Sequence, residues 1–531
     1  MLKSVTKKAI FLFIPILCLS ADAFPTGINS VSLAETDITV KASTPENPDP
    51  ENPDPENPVG PVITYPESMK CGTVPTIYIN TENYVPIIDK ETKIPASLYI
   101  DSSMSEKFEN LGTAESPLEL TIKGRGNASW LYHKKPYKIK FEKKQAPLGL
   151  TKSKHFALLP EVNVRAITSY WGFDLGRALG MAWAPEFQPV ELILNGNYEG
   201  LYMLIESIKI QEGRVDIYEQ PEENVDPETI PGGWLIEIDN YKDDFQIALN
   251  ESTDKIIRIT HKSPEVLSDA QRGWLTDEFN DIIYRLNNDD IFEPTWTDKI
   301  DIHSLAQYFV VSELQGNKDA YTGSFYFHKD SGEDSKWIAG PLWDLDYATY
   351  GEEWMFNSRE DIQVHLIKQA LRYPIFLNEI KKVWEMVTPE LMEKQFARLR
   401  TISDIVTPVI EKDKIRWPQS NYNASIRLMS ALVLPTKYKW IRDNLDSLYP
   451  TTTGLDNIDT STSGNLFVRG NSLYVAKADE VRDFGVYDIS GRKLPLELGE
   501  EIYLGSLPQG IYIVSVTYRD GETAQLKYFN Q

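Results

Sequence analysis

The hydrophobic period of this chain changes twice along its length, and that constrains the fold more than any single residue does. Apolar residues alternate with polar ones between residues 75 and 141, recur with helical spacing from about 265 to 449, and alternate again from about 455 to the end. A two-residue period belongs to strands with one buried face, and a period near 3.6 belongs to helices packed on one stripe. The order therefore predicts an α+β protein with a β-rich front half and a helical back half, meeting at a cleft. A small C-terminal β-sandwich of about 75 residues should follow.

In detail, strands are expected at Pro75 to Asn80, Ala96 to Ile100, Leu118 to Lys123 and Tyr137 to Phe141. A helix is expected from Val164 to Met181, where Ile167, Tyr170, Trp171, Leu175, Ala178 and Leu179 share a stripe. Strands at Val190 to Asn195 and Gly200 to Glu206 flank the turn Asn195-Gly196-Asn197, and Trp234 to Asp239 is a further strand ending in acids. Helices over about 265–288 and 301–315 lead into a hairpin from Ser324 to Leu342. Short strands at Asn465 to Arg469, Ser472 to Ala476, Asp483 to Tyr487, Ile511 to Tyr518 and Thr523 to Phe529 make up the tail.

The N-terminus reads as an export leader. Lys3, Lys7 and Lys8 precede the apolar run Ala9 to Leu19, and Ala21-Asp22-Ala23 supplies a cleavage pattern, so the mature chain should begin after Ala23. Residues 45–58 repeat Pro, Glu, Asn and Asp, a stiff and solvated tether. The expected divisions are 1–23 leader, 24–71 linker, 72–450 main domain and 455–531 sandwich. No later stretch is apolar for long enough to span a membrane.

Charge and cysteine usage exclude several functions. A net charge of −24 argues against nucleic acid as partner and either suits a basic one or simply keeps an exported protein soluble. Only Cys18 and Cys71 are present, and removal of the leader takes the first, so no internal disulfide can form and packing must stabilise the fold. The six histidines show no paired metal-binding spacing, which disfavours a transition-metal enzyme and leaves oxygen-ligated Mg²⁺ or Ca²⁺ open.

Two acidic motifs flank the predicted hairpin: Gly316-Asn317-Lys318-Asp319 and Trp343-Asp344-Leu345-Asp346. Phosphoryl transfer needs one carboxylate to take the hydroxyl proton and others to hold the cation on the phosphates, and this layout suits both. Acids at element ends also simply solvate turns. Gly124-Arg125-Gly126 lacks the third glycine of a nucleotide loop and so serves either a tight turn or a phosphate clamp built on Arg125. Lys138 and Lys140 share one strand face, either to meet phosphates or as the solvated side of an edge strand. Glu206, at a strand end, either orients such a lysine or is solvated.

Taken in order, Gly124-Arg125-Gly126-Asn127-Ala128-Ser129-Trp130, Lys134-Lys135-Pro136-Tyr137-Lys138, Leu175-Gly176-Arg177-Ala178-Leu179-Gly180, Leu201 to Glu206 and the two acidic motifs resemble the spore coat protein H (CotH) kinase family over roughly residues 72 to 400. The resemblance implies an atypical protein-kinase-like fold and transfer of the ATP γ-phosphoryl to Ser, Thr or Tyr hydroxyls of a basic or Ser-rich protein. It implies Asp319 as the catalytic-loop carboxylate that deprotonates the acceptor, Asp344 as a metal ligand with Asn317 and Asp346 as further ligands, and Arg125, Lys138 and Glu206 around the nucleotide. Mg²⁺ is the implied ion, with Ca²⁺ or Mn²⁺ as alternatives. One departure stands out: family members carry an Asp and an Arg-Asn pair where this chain has the shortened Val162-Asn163-Val164-Arg165-Ala166.

The tail, through Val486-Tyr487-Asp488-Ile489-Ser490-Gly491-Arg492 and Leu507-Pro508-Gln509-Gly510-Ile511-Tyr512-Ile513-Val514, resembles the C-terminal sorting domains of secreted Bacteroidetes proteins. That implies passage through secretion machinery to the cell surface or medium. A plain packing module has the same expected fold. Because ATP is scarce outside the cell, a non-catalytic surface protein that binds through a kinase-like fold is the alternative function. A carbohydrate-active enzyme is a third, disfavoured by acids only two residues apart.

Overall fold

The computed structural model describes residues 40–41, 62–63, 65–163, 170–239, 246–249, 257–332, 334–348, 351–357, 366–422, 426–448, 466–469, 471–499 and 501–530. The expected leader, the tether and the first part of the helix expected from Val164 lie outside these residues. The chain divides into two compact units, Met1–Thr64 and Tyr65–Gln531. In the first, Val40–Lys41 pairs with Val62–Ile63.

The β-rich front closes on itself. Strands β1 (Thr76–Thr81), β2 (Ile94–Asp101), β3 (Leu118–Gly124), β4 (Tyr137–Gln145), β5 (Ser153–Pro160), β6 (Phe187–Leu194) and β7 (Asn197–Glu206) form a closed barrel in the order β1-β2-β3-β4-β5-β7-β6. The ring is sealed by the parallel pairing of β1 with β6, in which Thr76 lies opposite Glu191. Closure removes the exposed edges that an open sheet would present. Alternation supplies the filling: Ile77, Ile79, Leu120, Ile122, Ile139, Phe141, Phe156, Leu192 and Leu204 are buried in one cluster inside. The β6–β7 hairpin turns through Asn195 at φ 52° and Gly196 at φ 78°, both left-handed as a two-residue turn requires.

A second sheet is built from β8 (Trp234–Ile238), β9 (Gln246–Leu249), β10 (Ile257–Ser263), β11 (Phe325–Lys329) and β12 (Ile338–Ala339), in the order β9-β10-β8-β11-β12. The longer helices are α1 (Trp171–Ala178), α2 (Asp269–Asn288), α3 (Ile302–Gln315), α4 (Pro374–Glu385), α5 (Pro389–Arg416) and α6 (Leu434–Asn444). Helix starts follow local chemistry. Ser268 and Gln271 form a capping box on α2, and the Asp301 carboxylate accepts the Ser304 N–H at 2.7 Å on α3.

The barrel docks on this half through its outer face. Ala157, Phe187, Leu201, Met203 and Ile205 join the same cluster as Trp171, Trp234, Ile236, Phe325, Phe327 and the buried faces of α3 and α5. One buried ion pair pins the contact. Lys134 Nζ lies 2.6 Å from Asp413 of α5 and also donates to the carbonyls of Glu161 and Leu201, at 2.9 and 2.5 Å. Asp413 in turn accepts the Leu201 N–H at 2.8 Å and the Tyr422 hydroxyl at 2.7 Å. With all three ammonium protons placed and three donors on the carboxylate, two charges can sit out of water. Gly200 makes room for them, since a Cβ there would meet Asp413 Oδ1 at 1.9 Å.

In the tail, β13 (Leu466–Arg469), β14 (Ser472–Val475) and β16 (Glu501–Tyr503) form one three-stranded sheet, and β15 (Val481–Asp488), β17 (Gly510–Tyr518) and β18 (Thr523–Asn530) another. Leu473, Ile502, Val486, Val514 and Val516 from both share one cluster. Among the described residues no helix is long and apolar enough to cross a membrane.

Candidate functional site

The two acidic motifs come together because α3 ends where it does. Gly316 takes φ 69°, the left-handed conformation that terminates the helix, and turns the chain so that Asn317 emerges at the junction of barrel and second sheet. Asn317 Nδ2 donates to the Asp344 carbonyl at 3.3 Å, and its Oδ1 accepts the Asp319 N–H at 3.2 Å. Asn317 and Ala348 form a β-bridge, and the Lys318 N–H donates to the Tyr347 carbonyl at 3.2 Å. The Asn317 Nδ2 thereby ties the two loops, and its Oδ1 shapes the turn into Asp319.

Asp344 sits at φ 54°, a left-handed conformation uncommon outside glycine. Its carboxyl group is hydrogen-bonded to that of Asp346. Both side chains are solvent-accessible yet ringed by protein, as on the floor of a cleft. Crowding and the mutual repulsion of the pair push Asp344 up to about 7, with Arg125 opposing, and Asp346 is raised as well, first by burial. Asp319 contributes to the field on Asp346, so three carboxylates act on one region. Among the described residues no three His, Cys, Asp or Glu side chains converge tightly enough to enclose a metal ion.

Arg125 faces these acids from the barrel. It follows β3 directly, its N–H bonded to the Pro136 carbonyl at 3.2 Å, and its guanidinium lies 5.2 Å from the Trp343 ring centroid. Asp344, Tyr326, Tyr170 and Glu237 are its electrostatic neighbours. The flanking glycines have their own reasons. A Cβ on Gly124 would strike the Trp130 ring at 2.4 Å, and Gly126 takes φ 83°.

Lys138 and Glu206 lie near but apart. Lys138 is half-buried on the outer barrel face, and burial together with the charges of Lys209 and Lys123 pulls it down to about 8. Glu206 is fully buried and spends its carboxylate on the Thr151 and Glu186 amides, at 2.6 and 3.1 Å. Among the described residues it makes no ion pair with Lys138, and its charge acts on Arg214.

Two acids near the site carry no motif in the sequence. Glu237, opposite Tyr326 in the β8–β11 ladder, pairs with Lys262 at 2.5 Å and accepts the Tyr326 hydroxyl. Its signal was an acid inside an otherwise apolar strand. Glu161 is fully buried, accepts the Tyr170 hydroxyl at 3.1 Å, finds no partner for Oε2 among the described residues, and is pushed up to about 8 by burial. Nothing in its local sequence marks it.

Residues 122–440 match the CotH kinase protein family. The chain belongs to that family. The CotH match runs from within β3 to within α6, so it takes in Arg125, Lys138, Glu206 and both acidic motifs. The C-terminal sheets lie outside it. No curated protein matches the chain.

Proposed function

We propose that the protein is an exported atypical protein kinase that moves the ATP γ-phosphoryl to a Ser, Thr or Tyr hydroxyl of a protein. The observation that carries this reading is the Asn317–Asp344 hydrogen bond at 3.3 Å, which sets Asp319 beside the Asp344–Asp346 pair. In this reading the fold is kinase-like, with the barrel as its nucleotide-facing half and the helices behind the acceptor.

The donor set suits a hard divalent cation. Two carboxylates forced to share a proton are groups that a cation relieves, and Mg²⁺ is commonly held by one or two carboxylates with substrate phosphates completing its shell. Ca²⁺ takes about six to eight oxygens in a larger, looser shell, and Mn²⁺, octahedral like Mg²⁺, is the closer substitute. Asp344 and Asp346 would be the ligands, and Asn317 their positioning residue. When bound, the ion neutralises charge on the phosphates.

Asp319 accepts the hydroxyl proton as the new oxygen–phosphorus bond forms and the β–γ anhydride bond breaks. Arg125 and Lys138 offset the charge left on the diphosphate. Glu206 supports the strand end from which the site is built. Export would follow leader removal after Ala23, with residues 455–531 as a sorting domain that delivers the protein to the surface or medium.

The test is transfer of labelled phosphate from Mg-ATP to the protein itself and to basic, Ser-rich substrates. Asp319→Asn and Asp344→Asn should each abolish it with melting temperature preserved. No transfer by the unaltered protein would overturn the kinase reading in favour of a surface binding role. For export, the mature N-terminus in the culture supernatant should begin at Phe24.

A further inference from the structure

Residues 118–160 carry nine lysines and one arginine against two glutamates, a surplus of eight positive charges in a chain whose net charge is −24. The barrel sorts part of that surplus onto one surface. Lys138 lies directly opposite Lys123 across the β3–β4 pair, and Lys140 lies between Thr121 and His155. Neighbouring strands are about 4.8 Å apart, and alternate residues along a strand about 7 Å, so Lys123, Lys138 and Lys140 crowd a patch about the size of a multiply charged anion. Lys209 adds its field to Lys138 and His155.

Two ordinary explanations fail. Lysines guard the edges of open sheets, but β4 is an interior strand of a closed barrel and has no edge to guard. Nor are the charges neutralised in place. Among the described residues Lys123, Lys138 and Lys140 make no ion pair. Glu265 pairs with Lys209 at 3.3 Å, the Asp89 carboxylate accepts the Glu91 and Thr92 amides at 2.8 and 2.7 Å, and Glu119 and Glu142, exposed at the far end of the same face, make no ion pair with these lysines among the described residues. Like charges directly opposite on adjacent strands destabilise a sheet. Burial first, and the neighbouring lysines after it, depress Lys138 and hold His155 at about 4.

We propose that Lys123, Lys138, Lys140 and Lys209 form an anion site on the outer barrel face that takes a multivalent phosphate, a molecule bearing several linked phosphate groups. It shares Lys138 with the proposed nucleotide site but extends past it, and it needs neither Asp344 nor a metal. Its occupancy brings the lysines the counter-charge that the fold withholds.

The probe is inorganic tripolyphosphate, titrated calorimetrically into the full chain in EDTA. Saturable binding that weakens steeply with salt is expected. Lys123→Ala/Lys140→Ala should weaken it at least about tenfold, Lys123→Arg/Lys140→Arg should retain it, and Asp344→Asn should leave it unchanged. Equal affinity in the Ala double variant, or no saturable binding, would overturn the proposal. Transfer from Mg-ATP is read separately, so failure of the anion site and failure of the kinase reading are distinguishable.

Discussion

Asn317 joins Asp344 through one hydrogen bond, side-chain amide to main-chain carbonyl at 3.3 Å, and so ties the end of α3 to the loop that carries the paired acids. The same side chain receives the Asp319 N–H at 3.2 Å. One residue thus sets the spacing between a proposed proton acceptor and the proposed ion-binding pair. Its removal should cost little stability, about 1 kcal/mol per neutral hydrogen bond. Asn317→Ala is therefore expected to keep its fold by circular dichroism while phosphate transfer falls by about a hundredfold, as for a misplaced catalytic group.

The Asp344–Asp346 pair should make stability depend on pH with a definite sign. Asp344 is raised to about 7 in the folded protein, so below its ordinary carboxylate value the folded and unfolded states are protonated alike. Between that value and about 7 the folded state holds a proton that the unfolded state has released, and stability falls as pH rises. Melting temperature should therefore drop between pH 4 and pH 7, and Asp346→Asn should flatten the slope. Added Mg²⁺ should recover stability at the upper end, and transfer should rise with pH over the same window.

The Lys134–Asp413 pair gives a prediction about packing. Lys134→Met leaves the Asp413 carboxylate buried without its cation, which costs about 3–5 kcal/mol. Gly200→Ala should damage the same contact by collision, since its Cβ would fall 1.9 Å from Asp413 Oδ1. Both variants should unfold at lower denaturant concentration with an unchanged slope. A fully stable Gly200→Ala protein would show that the barrel and α5 can part without penalty.

Lys138 should behave in the opposite way. A half-buried lysine held down to about 8 by burial and by other lysines is a strained charge. Replacing it with methionine keeps the stem and removes the repulsion, so Lys138→Met should melt higher than the unaltered protein. The same variant should lose the stabilisation that Mg-ATP confers, which scales with ligand concentration over Kd.

Period and turn chemistry by themselves determined most of the element order. The alternation at Leu118 to Lys123 and Tyr137 to Phe141, the Asn195-Gly196 turn and the helical spacing around Gln395 to Arg400 are local properties, and each appears in the structure as β3, β4, the β6–β7 hairpin and α5. Closure of the barrel was not legible, because the β1–β6 pairing joins residues more than a hundred positions apart and leaves no mark in either strand. The acidic motifs and Arg125 were legible as motifs, yet only tertiary structure decided which atoms they offer. It used Asn317 Nδ2 to tie two loops, gave Glu206 to two backbone amides, and brought Glu161, just past a strand end, and Glu237, inside an otherwise apolar strand, to the site. Chemistry type is written residue by residue; burial, charge coupling and partner choice arise only when distant segments share a cleft.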